Sequence, residues 1–383
     1  MAANVFTTGT GSATSLADPL VNILFSQKLH IETQDELWFN QRGLMKKEDG
    51  GEDTFERKSD SPIVVKDEFG KERGQRIRLA LRKQLTTNVG LADRDGAGTG
   101  ATVLNQYTFG ISSMIDQEEN MNLYDMEVVV ELMKHAVGFA TPELQDLRTP
   151  FKMEQEAASA LRDWLAGQYE ESILDAHYEG NAAHVIKSGF ASATAHPRVI
   201  WSNNATAQSD ISNDDLLSAA DLRKVYESMR INNINPLKVD GKEMYVLLAH
   251  VYSISDLMND SDIKNTYQNA FSRTAAGSDN PLFSRAEVIF EGIAVHEYNR
   301  VRVPGSGTNA ASTRRNIVLG ADALICGNAS EPRLVRRKED AYEDRYGVGI
   351  KQIFGCARAD FQHINNNVTL NQSSAELMNW SVA

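Results

Sequence analysis

The sequence predicts an α+β fold, on three observations. Apolar and polar residues alternate with a period of two on both sides of one long segment, in which apolar residues instead repeat every 3.6 positions. The strand-like and helical patterns are grouped rather than strictly alternating, which favours α+β over a doubly wound α/β sheet. With 383 residues, the chain is long enough for two or more lobes with separate cores.

Composition and charge exclude several classes of protein. The chain is 42% apolar and 8% aromatic, so it is not compositionally disordered. Its 39 Lys and Arg residues against 52 Asp and Glu give a net charge of -13, which argues against nucleic-acid binding as the main activity. The N-terminal sequence lacks the features of a signal peptide, and no apolar run reaches the roughly 18–20 residues of a membrane span. We therefore expect a soluble protein made inside the cell.

The N-terminal part is predicted as an arm, a loop and a hairpin. Residues 1–39 contain too few apolar residues to fold alone, so we expect an arm that lies on another surface. Residues 40–60 are dense in charge and glycine, which predicts a loop. From Pro62 the pattern alternates on both sides of the turn sequence DEFGKERG, which predicts a long two-stranded hairpin. The alternating apolar residues are Ile63, Val65, Ile77, Leu79 and Leu81.

The central part is predicted to contain a strand and two helices. The strand is expected within 103–115. Thr149 and Pro150 then fit an N-cap followed by proline at the first helical position. Beyond them, one apolar stripe runs through residues 151–178, which predicts a helix about 40 Å long. A preceding helix is predicted from the spacing of Met126, Val129, Val130, Met133 and Val137.

The C-terminal half predicts a mixture of helices and buried strands. Ser218 is expected to cap one helix, and a second helix is expected over 253–271. The polar residues at the C-terminus predict a tail that frays. Strands are expected at 244–250, 286–290, 293–296, 301–303 and 346–361, with a pair of buried strands at 317–327.

No motif predicts a catalytic, cofactor-binding or metal site. The GAGTG sequence at 96–100 lies between strand-like segments and opens no helix, so a dinucleotide-binding loop is not expected there. The eight histidines are scattered without metal-binding spacing. Cys326 and Cys356 lie in apolar, glycine-flanked patterns, which predicts small buried side chains in a reducing compartment and makes a disulfide unexpected.

Two segments of opposite charge predict a subunit interface. Between residues 71 and 83, six cations and one carboxylate give a local charge of +5, whereas the long helix at 151–178 has six carboxylates and two cations, a local charge of -4. Such surfaces complement each other between neighbouring subunits, although two unrelated solvated surfaces are the alternative. The candidate interface residues are Arg73, Arg76, Arg78, Arg82 and Lys83 on the basic segment and Glu154, Glu156, Asp163, Glu170 and Glu171 on the acidic helix.

Five stretches carry a resemblance to a known family. The first two are PIVVKDEFGKERGQRIRLALRKQLTT and NQYTFGISSMIDQ. The distal three are NPLFSRAEVIFEGIAVHEYNRV, NIVLGADALICG and DRYGVGIKQIFGCARADF. Together with the order of the predicted elements, they resemble the major capsid proteins of tailed bacteriophages, of the type found in lytic podoviruses with virion RNA polymerases. The resemblance covers nearly the whole chain.

The resemblance implies a tailed-phage major-capsid fold divided into named regions. A peripheral domain would contain the long spine helix, an axial domain would face the centre of each capsomer, and an extended β-hairpin loop would project from the subunit. The implied regions are an N-terminal arm at 1–40, the extended loop at 41–102, the peripheral domain at 103–205 and 331–375, the axial domain at 206–330 and a C-terminal tail at 376–383.

The resemblance also implies a structural function, with no catalytic site and no cofactor. Subunits of that family form hexamers and pentamers of an icosahedral shell, which encloses double-stranded DNA without sequence-specific binding and without a membrane. A separate scaffolding protein, a portal and decoration proteins are the implied partners. The protein would be made in the host cytoplasm and found in the virion.

Two alternatives remain open from the sequence. A bacterial nanocompartment shell protein would share the architecture but would enclose enzymes instead of DNA. A soluble cytosolic hydrolase with an unrecognised site belongs to a different class. Closed particles in the electron microscope would exclude the hydrolase, and nucleic acid inside them would favour the virus.

Overall fold

The computed structural model of the chain describes thirteen stretches. The described residues are 37–48, 61–66, 76–82, 123–140, 153–180, 196, 198–239, 242–265, 288–303, 313–336, 345–363, 369–371 and 374–381. Their helices are α1 (Trp38–Gln41), α2 (Met153–Glu179), α3 (Ala219–Ile231) and α4 (Val251–Asn259). None of the helices in these stretches combines the length and hydropathy that crossing a bilayer requires.

The strands of the described stretches form three sheets. A five-stranded sheet has the order β1-β2-β12-β13-β5, a seven-stranded sheet contains β6-β16-β11-β8-β10-β9 with β7 beside β8, and a four-stranded sheet has the order β15-β14-β4-β3. The strands are β1 (Met45–Glu48), β2 (Ile63–Lys66), β3 (Arg76–Arg82), β4 (Leu123–Val129), β5 (Glu131–Ala140), β6 (Val199–Trp201), β7 (Leu237–Val239), β8 (Lys242–Ala249), β9 (Val288–Phe290), β10 (Ile293–Glu297), β11 (Thr313–Leu319), β12 (Leu324–Arg336), β13 (Arg345–Arg358), β14 (Asp360–His363), β15 (Thr369–Asn371) and β16 (Ser374–Trp380).

Helix α2 is the spine helix that the sequence predicts, and it packs on one face of the five-stranded sheet. Leu161, Leu165 and Ile173 lie one to three turns apart on its apolar stripe, and each is 1% exposed. The helix is followed by Gly180, whose φ of +91° is in the left-handed region that favours glycine at a helix C-terminus. The same core includes alternate residues of β13, such as Ile350 and Phe354.

A second core lies between the seven-stranded sheet and helices α3 and α4. It contains Leu222 and Val225 of α3, Leu257 of α4 and Leu247 of β8. Ser218 caps α3 as predicted: its side chain accepts from the Asp221 N–H, and the Asp221 carboxylate accepts from the Ser218 N–H, which completes a capping box. The strand predicted at 244–250 and those at 286–290 and 293–296 are confirmed as β8, β9 and β10, with small shifts of their ends.

The predicted hairpin after Pro62 is wrong in its pairing. Strand β2 pairs in parallel with β1 and β12, whereas β3 pairs antiparallel with β4 in a different sheet. The alternation of apolar residues therefore predicted the two strands correctly but not their partners. Parallel neighbours contributed by distant parts of the chain leave no local signal in the sequence.

The helix predicted from Met126 to Val137 is also wrong, because these residues form β4 and β5. Met126, Val128 and Val130 are buried at a period of two, and the phase changes after Val130, so that Met133 faces the core. The backbone at Val129 lies so close to β13 that a Cβ on Gly355 would be 2.1 Å from the Val129 carbonyl oxygen. Only glycine fits at position 355.

Four further predictions for the C-terminal half need correction. Residues 301–303 are not a strand, and helix α4 starts at Val251 and ends at Asn259, although helical residues resume over 261–265 after a bend at Asp260. The buried strands at 317–327 are confirmed, but β11 and β12 belong to different sheets. The tail does not fray: β16 pairs with β11 over seven residues and with β6 on its other side.

The two cysteines are buried as predicted, but the expectation of free thiols is wrong. Cys326 and Cys356 lie directly opposite each other on the antiparallel strands β12 and β13, and the structure joins them by a disulfide. Their Cα atoms are 4.1 Å apart. Cross-strand adjacency of this kind depends on register and is not visible in the spacing of the cysteines along the chain.

Candidate assembly surfaces and the charged junction behind them

The basic segment is described only in its central part. Arg76, Arg78 and Arg82 lie at alternate positions of β3, whereas Arg73 and Lys83 lie outside the described residues. The register of the strand pair places Arg78 opposite Glu127 of β4. Part of the +5 segment is therefore next to acidic positions of its own sheet.

The acidic helix divides into two halves with different surroundings. Glu154 lies in its first turn, and Glu156 and Asp163 are exposed to solvent in its N-terminal half. The Asp163 side chain is 65% exposed, and its carboxylate oxygen is 3.4 Å from Nη2 of the adjacent Arg162. An exposed ion pair of this kind contributes little to stability, so this half keeps carboxylates that can contact another molecule.

The C-terminal half of the helix instead directs its carboxylates into its own subunit. Glu170 is buried, with Oε2 2.8 Å from Nη1 of Arg300 and Oε1 accepting from the Trp38 backbone N–H at 3.0 Å. The structure thus joins the start of α1 and the segment after β10 to one face of the spine helix. Glu171 lies 3.9 Å from Nη2 of Arg302.

Arg302 is shared by three carboxylates of the spine helix. Its Nη1 donates to Oε1 of Glu179 at 2.8 Å, its Nη2 forms an ion pair with Asp175, and the guanidinium lies 5.1 Å from the centre of the Tyr178 ring. The Tyr178 hydroxyl donates to the backbone carbonyl of Arg315 at 2.8 Å. These contacts connect the last two turns of the helix to the seven-stranded sheet.

Behind this junction lies a buried ion pair between Arg315 and Glu376. The guanidinium donates to both carboxylate oxygens, at 3.0 and 2.7 Å, and the side chains are 9% and 0% exposed. Burial raises the pKa of Glu376, and the hydrogen bonds from Arg315 oppose that shift. The pair joins β11 to β16, so it ties the C-terminal strand to the middle of the sheet.

Two histidines complete the junction. The His177 and His196 rings lie 5.0 Å apart, and both are buried. His196 Nε2 is 3.0 Å from the Ser374 hydroxyl, whereas neither nitrogen of His177 has a hydrogen-bond partner. Burial lowers the pKa of His177 well below its ordinary value, and it lowers that of His196 to about 2, with Arg358 adding to both shifts.

This pair predicts that the subunit loses stability in acid. Because the folded state keeps both imidazoles neutral, the unfolded chain binds more protons below about pH 6.5. We expect the free energy of unfolding to be unaffected by them above that pH. Below it, stability falls by up to about 1.4 kcal/mol per pH unit for each histidine, until the pH approaches the folded-state pKa.

The variant His177→Leu tests the acid sensitivity. It removes a buried imidazole that has no hydrogen-bond partner and fills a similar volume, so we expect near-unchanged stability at pH 7.5. Urea unfolding of the unassembled subunit between pH 7.5 and 4.5 measures how the free energy of unfolding changes with pH. In the variant this slope should be smaller than in the wild type by the equivalent of about one proton. An unchanged slope would show that His177 does not contribute.

Sequence reasoning found the acidic helix but missed its partners. The partners are four arginines that are far from the helix in the chain, and the topology brings them to its C-terminal half: Arg300, Arg302, Arg315 and Arg358. The one available signal was Arg314 followed by Arg315 at the start of a strongly apolar strand pattern, where charged residues are unusual without partners. In the described residues, no group of three histidine, cysteine or carboxylate side chains is placed to hold a metal ion.

Comparison with known proteins gives matches over most of the chain. A family model described as phage capsid protein matches residues 24–374. The major capsid protein of Pseudomonas phage KPP25 is 23% identical over 294 residues, which cover 69% of this chain and 77% of that protein.

Solved structures share the fold. The capsid of Ralstonia phage GP4 matches with a TM-score of 0.65 at 17% identity, covering 91% of this chain and 92% of its own. The capsid asymmetric unit of cyanophage Pam1 matches with a TM-score of 0.61 at 19% identity, covering 81% of this chain and 86% of its own.

Proposed function

Because the chain belongs to the phage capsid protein family, we propose that its copies assemble as hexamers and pentamers into an icosahedral shell around the viral genome. The match of the family model to residues 24–374 is the observation that carries this proposal. The fold is that of tailed-phage capsid subunits, and the protein is a structural component of the capsid. A shell subunit acts through surfaces that fit neighbouring copies rather than through a catalytic site.

We propose that the regions of the family fold correspond to the sheets of this structure. The five-stranded sheet with the spine helix supports a peripheral domain drawn from 103–205 and 331–375, and the seven-stranded sheet with α3 and α4 supports an axial domain near 206–330. Strand β16 lies in the seven-stranded sheet, so we assign its residues to the axial sheet rather than to a free tail. The arm at 1–40 and the extended loop at 41–102 complete the proposed division, but β1 and β2, which lie within 41–102, pair in the five-stranded sheet and are assigned to it.

We propose that the oppositely charged segments lie at subunit interfaces. On the basic side these are Arg73, Arg76, Arg78, Arg82 and Lys83. On the acidic side the contacts within the subunit favour Glu154, Glu156 and Asp163, because Glu170 and Glu171 already contact Arg300 and Arg302.

Reversing the three arginines of β3 should block assembly. In R76E/R78E/R82E the basic surface becomes acidic, which replaces attraction between subunits by repulsion. We expect the yield of closed particles in electron micrographs to fall by at least about tenfold, while circular dichroism of the unassembled subunit remains that of the wild type. Reversal of two exposed lysines elsewhere, K238E/K264E, serves as the control and should assemble normally. Normal shells from the triple variant would contradict an interface role for β3.

The remaining partners are proposed from the family. The shell would enclose double-stranded DNA without sequence-specific contacts, consistent with the net charge of -13. A separate scaffolding protein, a portal and decoration proteins would join the same particle, which is assembled after synthesis in the host cytoplasm. Nuclease-protected DNA in purified particles supports the genome as content, and protein cargo without DNA would favour a nanocompartment instead.

A further inference from the structure

A row of three exposed cations crosses the outer face of the five-stranded sheet. Lys134 of β5 lies directly opposite Lys351 of β13, and Lys351 lies directly opposite Arg333 of β12. All three residues are exposed. With neighbouring strands about 4.8 Å apart, the basic row spans roughly 10 Å.

The row points away from the spine helix. On each strand the flanking residues Met133, Ile350 and Leu334 are buried in the core that the helix covers, and side chains on a strand alternate between faces. The same outer face of β13 is covered further along by the four-stranded sheet, where Ala357 packs with Tyr124. The basic row lies outside the part of this face that the four-stranded sheet covers.

The basic row has no neutralising partner among the described residues. None of the three side chains forms a hydrogen bond or an ion pair with the described residues, and like charges directly opposite each other in a sheet are unfavourable. Beside the row, Leu132 is 54% exposed and Ile353, its register partner, is only half-buried. This face of the subunit is both charged and apolar, which is typical of a protein-binding surface.

The spine helix presents a stripe of matching length and opposite charge. Glu156 and Asp163 are seven residues apart, so they lie on the same side of the helix and roughly 10.5 Å apart along its axis. Ala160 lies between them on this stripe and is exposed. Gly167 lies about one turn beyond Asp163, and an added Cβ there would meet nothing within 4 Å. The small residues let a flat sheet face approach this stripe closely.

We propose that the basic row of one subunit docks on this acidic stripe of a second copy of the chain. The inference rests on the proposed function, and it assigns Glu156 and Asp163 to the basic row of a neighbouring subunit rather than to the arginines of β3. Charge complementarity and the matched spans of about 10 Å support a second copy as the occupant. The phosphates of the genome would neutralise the cations but would leave Leu132 and Ile353 uncovered.

A charge-swap experiment on the full-length chain tests the pairing. K134E/R333E/K351E and E156K/D163K are each expected to lower the yield of closed particles by at least about tenfold, because each places like charges across the contact. Combining all five substitutions restores opposite charges, and we expect a yield within about threefold of the wild type. Sedimentation and electron microscopy measure the yield, and circular dichroism confirms that each unassembled variant is folded.

The controls separate this inference from the proposed function. If the wild-type chain forms no shells, the proposed function fails. If the wild type assembles and K134E/R333E/K351E also forms normal shells, or if the combined variant is not restored, the proposed pairing is wrong while the function stands. Normal shells that have lost packaged DNA would assign the basic row to the genome and would likewise overturn the pairing. Combining E156K/D163K with R76E/R78E/R82E should give no restoration, which shows that rescue is specific to the basic row.

Discussion

Arg315→Ala is expected to destabilise the folded subunit by about 3–5 kcal/mol, because it leaves the Glu376 carboxylate buried without its partner. Glu376 is fully buried, and both of its oxygens accept from the Arg315 guanidinium. The arginine also lies 4.6 Å from the centre of the Tyr178 ring, so the substitution removes packing against the spine helix as well. Urea unfolding of the unassembled subunit, followed by tryptophan fluorescence, measures the effect.

A matched control distinguishes the effect of burying the ion pair from the effect of removing a positive charge. Arg223 contacts Glu291 and Asp262 at the surface, and all three side chains are about half exposed, so Arg223→Ala should destabilise the subunit far less than Arg315→Ala does. The double variant R315M/E376L replaces the buried pair by apolar side chains and should be more stable than Arg315→Ala alone. A cost below about 1 kcal/mol for Arg315→Ala would show that the pair does not hold β11 and β16 together.

Deleting residues 374–383 is expected to abolish folding. Strand β16 lies between β11 and β6, and its residues Ala375 and Leu377 are fully buried in the second core. Removal would expose both neighbouring strand edges and would leave Arg315 without its carboxylate, a combined loss larger than the marginal stability of a typical domain.

The truncation is compared with deletion of residues 382–383 alone, which retains all of β16. We expect the shorter deletion to be soluble and to give the circular dichroism spectrum of the full chain, whereas the longer deletion should be insoluble or unfolded. A folded, assembly-competent protein without residues 374–383 would contradict the position of β16 in the sheet and would support the fraying tail that the sequence predicts.

Local patterns in the sequence were sufficient for several elements. The spine helix follows from a regular apolar stripe, and α3 follows from the cap at Ser218. The predicted start of the spine helix at Thr149 and Pro150 lies outside the described residues. The segment from Met126 to Val137 misled because two strands meet with a phase change after Val130, which places buried residues at 126, 130 and 133 and a partly buried one at 137. That spacing mimics a helix even though each strand has a period of two.

Long-range partners account for most of what sequence reasoning missed. The C-terminal residues look polar, yet Glu376 is buried against Arg315, and Asn379 accepts from Asn316 at 2.6 Å. The disulfide likewise depends on the register of β12 and β13. For the candidate interface, charge identified the acidic helix, but the division into an outer half and an inner half followed only from the positions of Arg300 and Arg302.

Cryo-electron microscopy of particles assembled from the wild-type chain tests the central claim most directly. We expect closed icosahedral shells containing DNA, built from hexamers and pentamers in which each subunit has a spine helix over Met153–Glu179 on a five-stranded sheet. A protein that stays monomeric at high concentration, or shells that contain protein cargo and no DNA, would contradict the assignment as the subunit of a viral capsid.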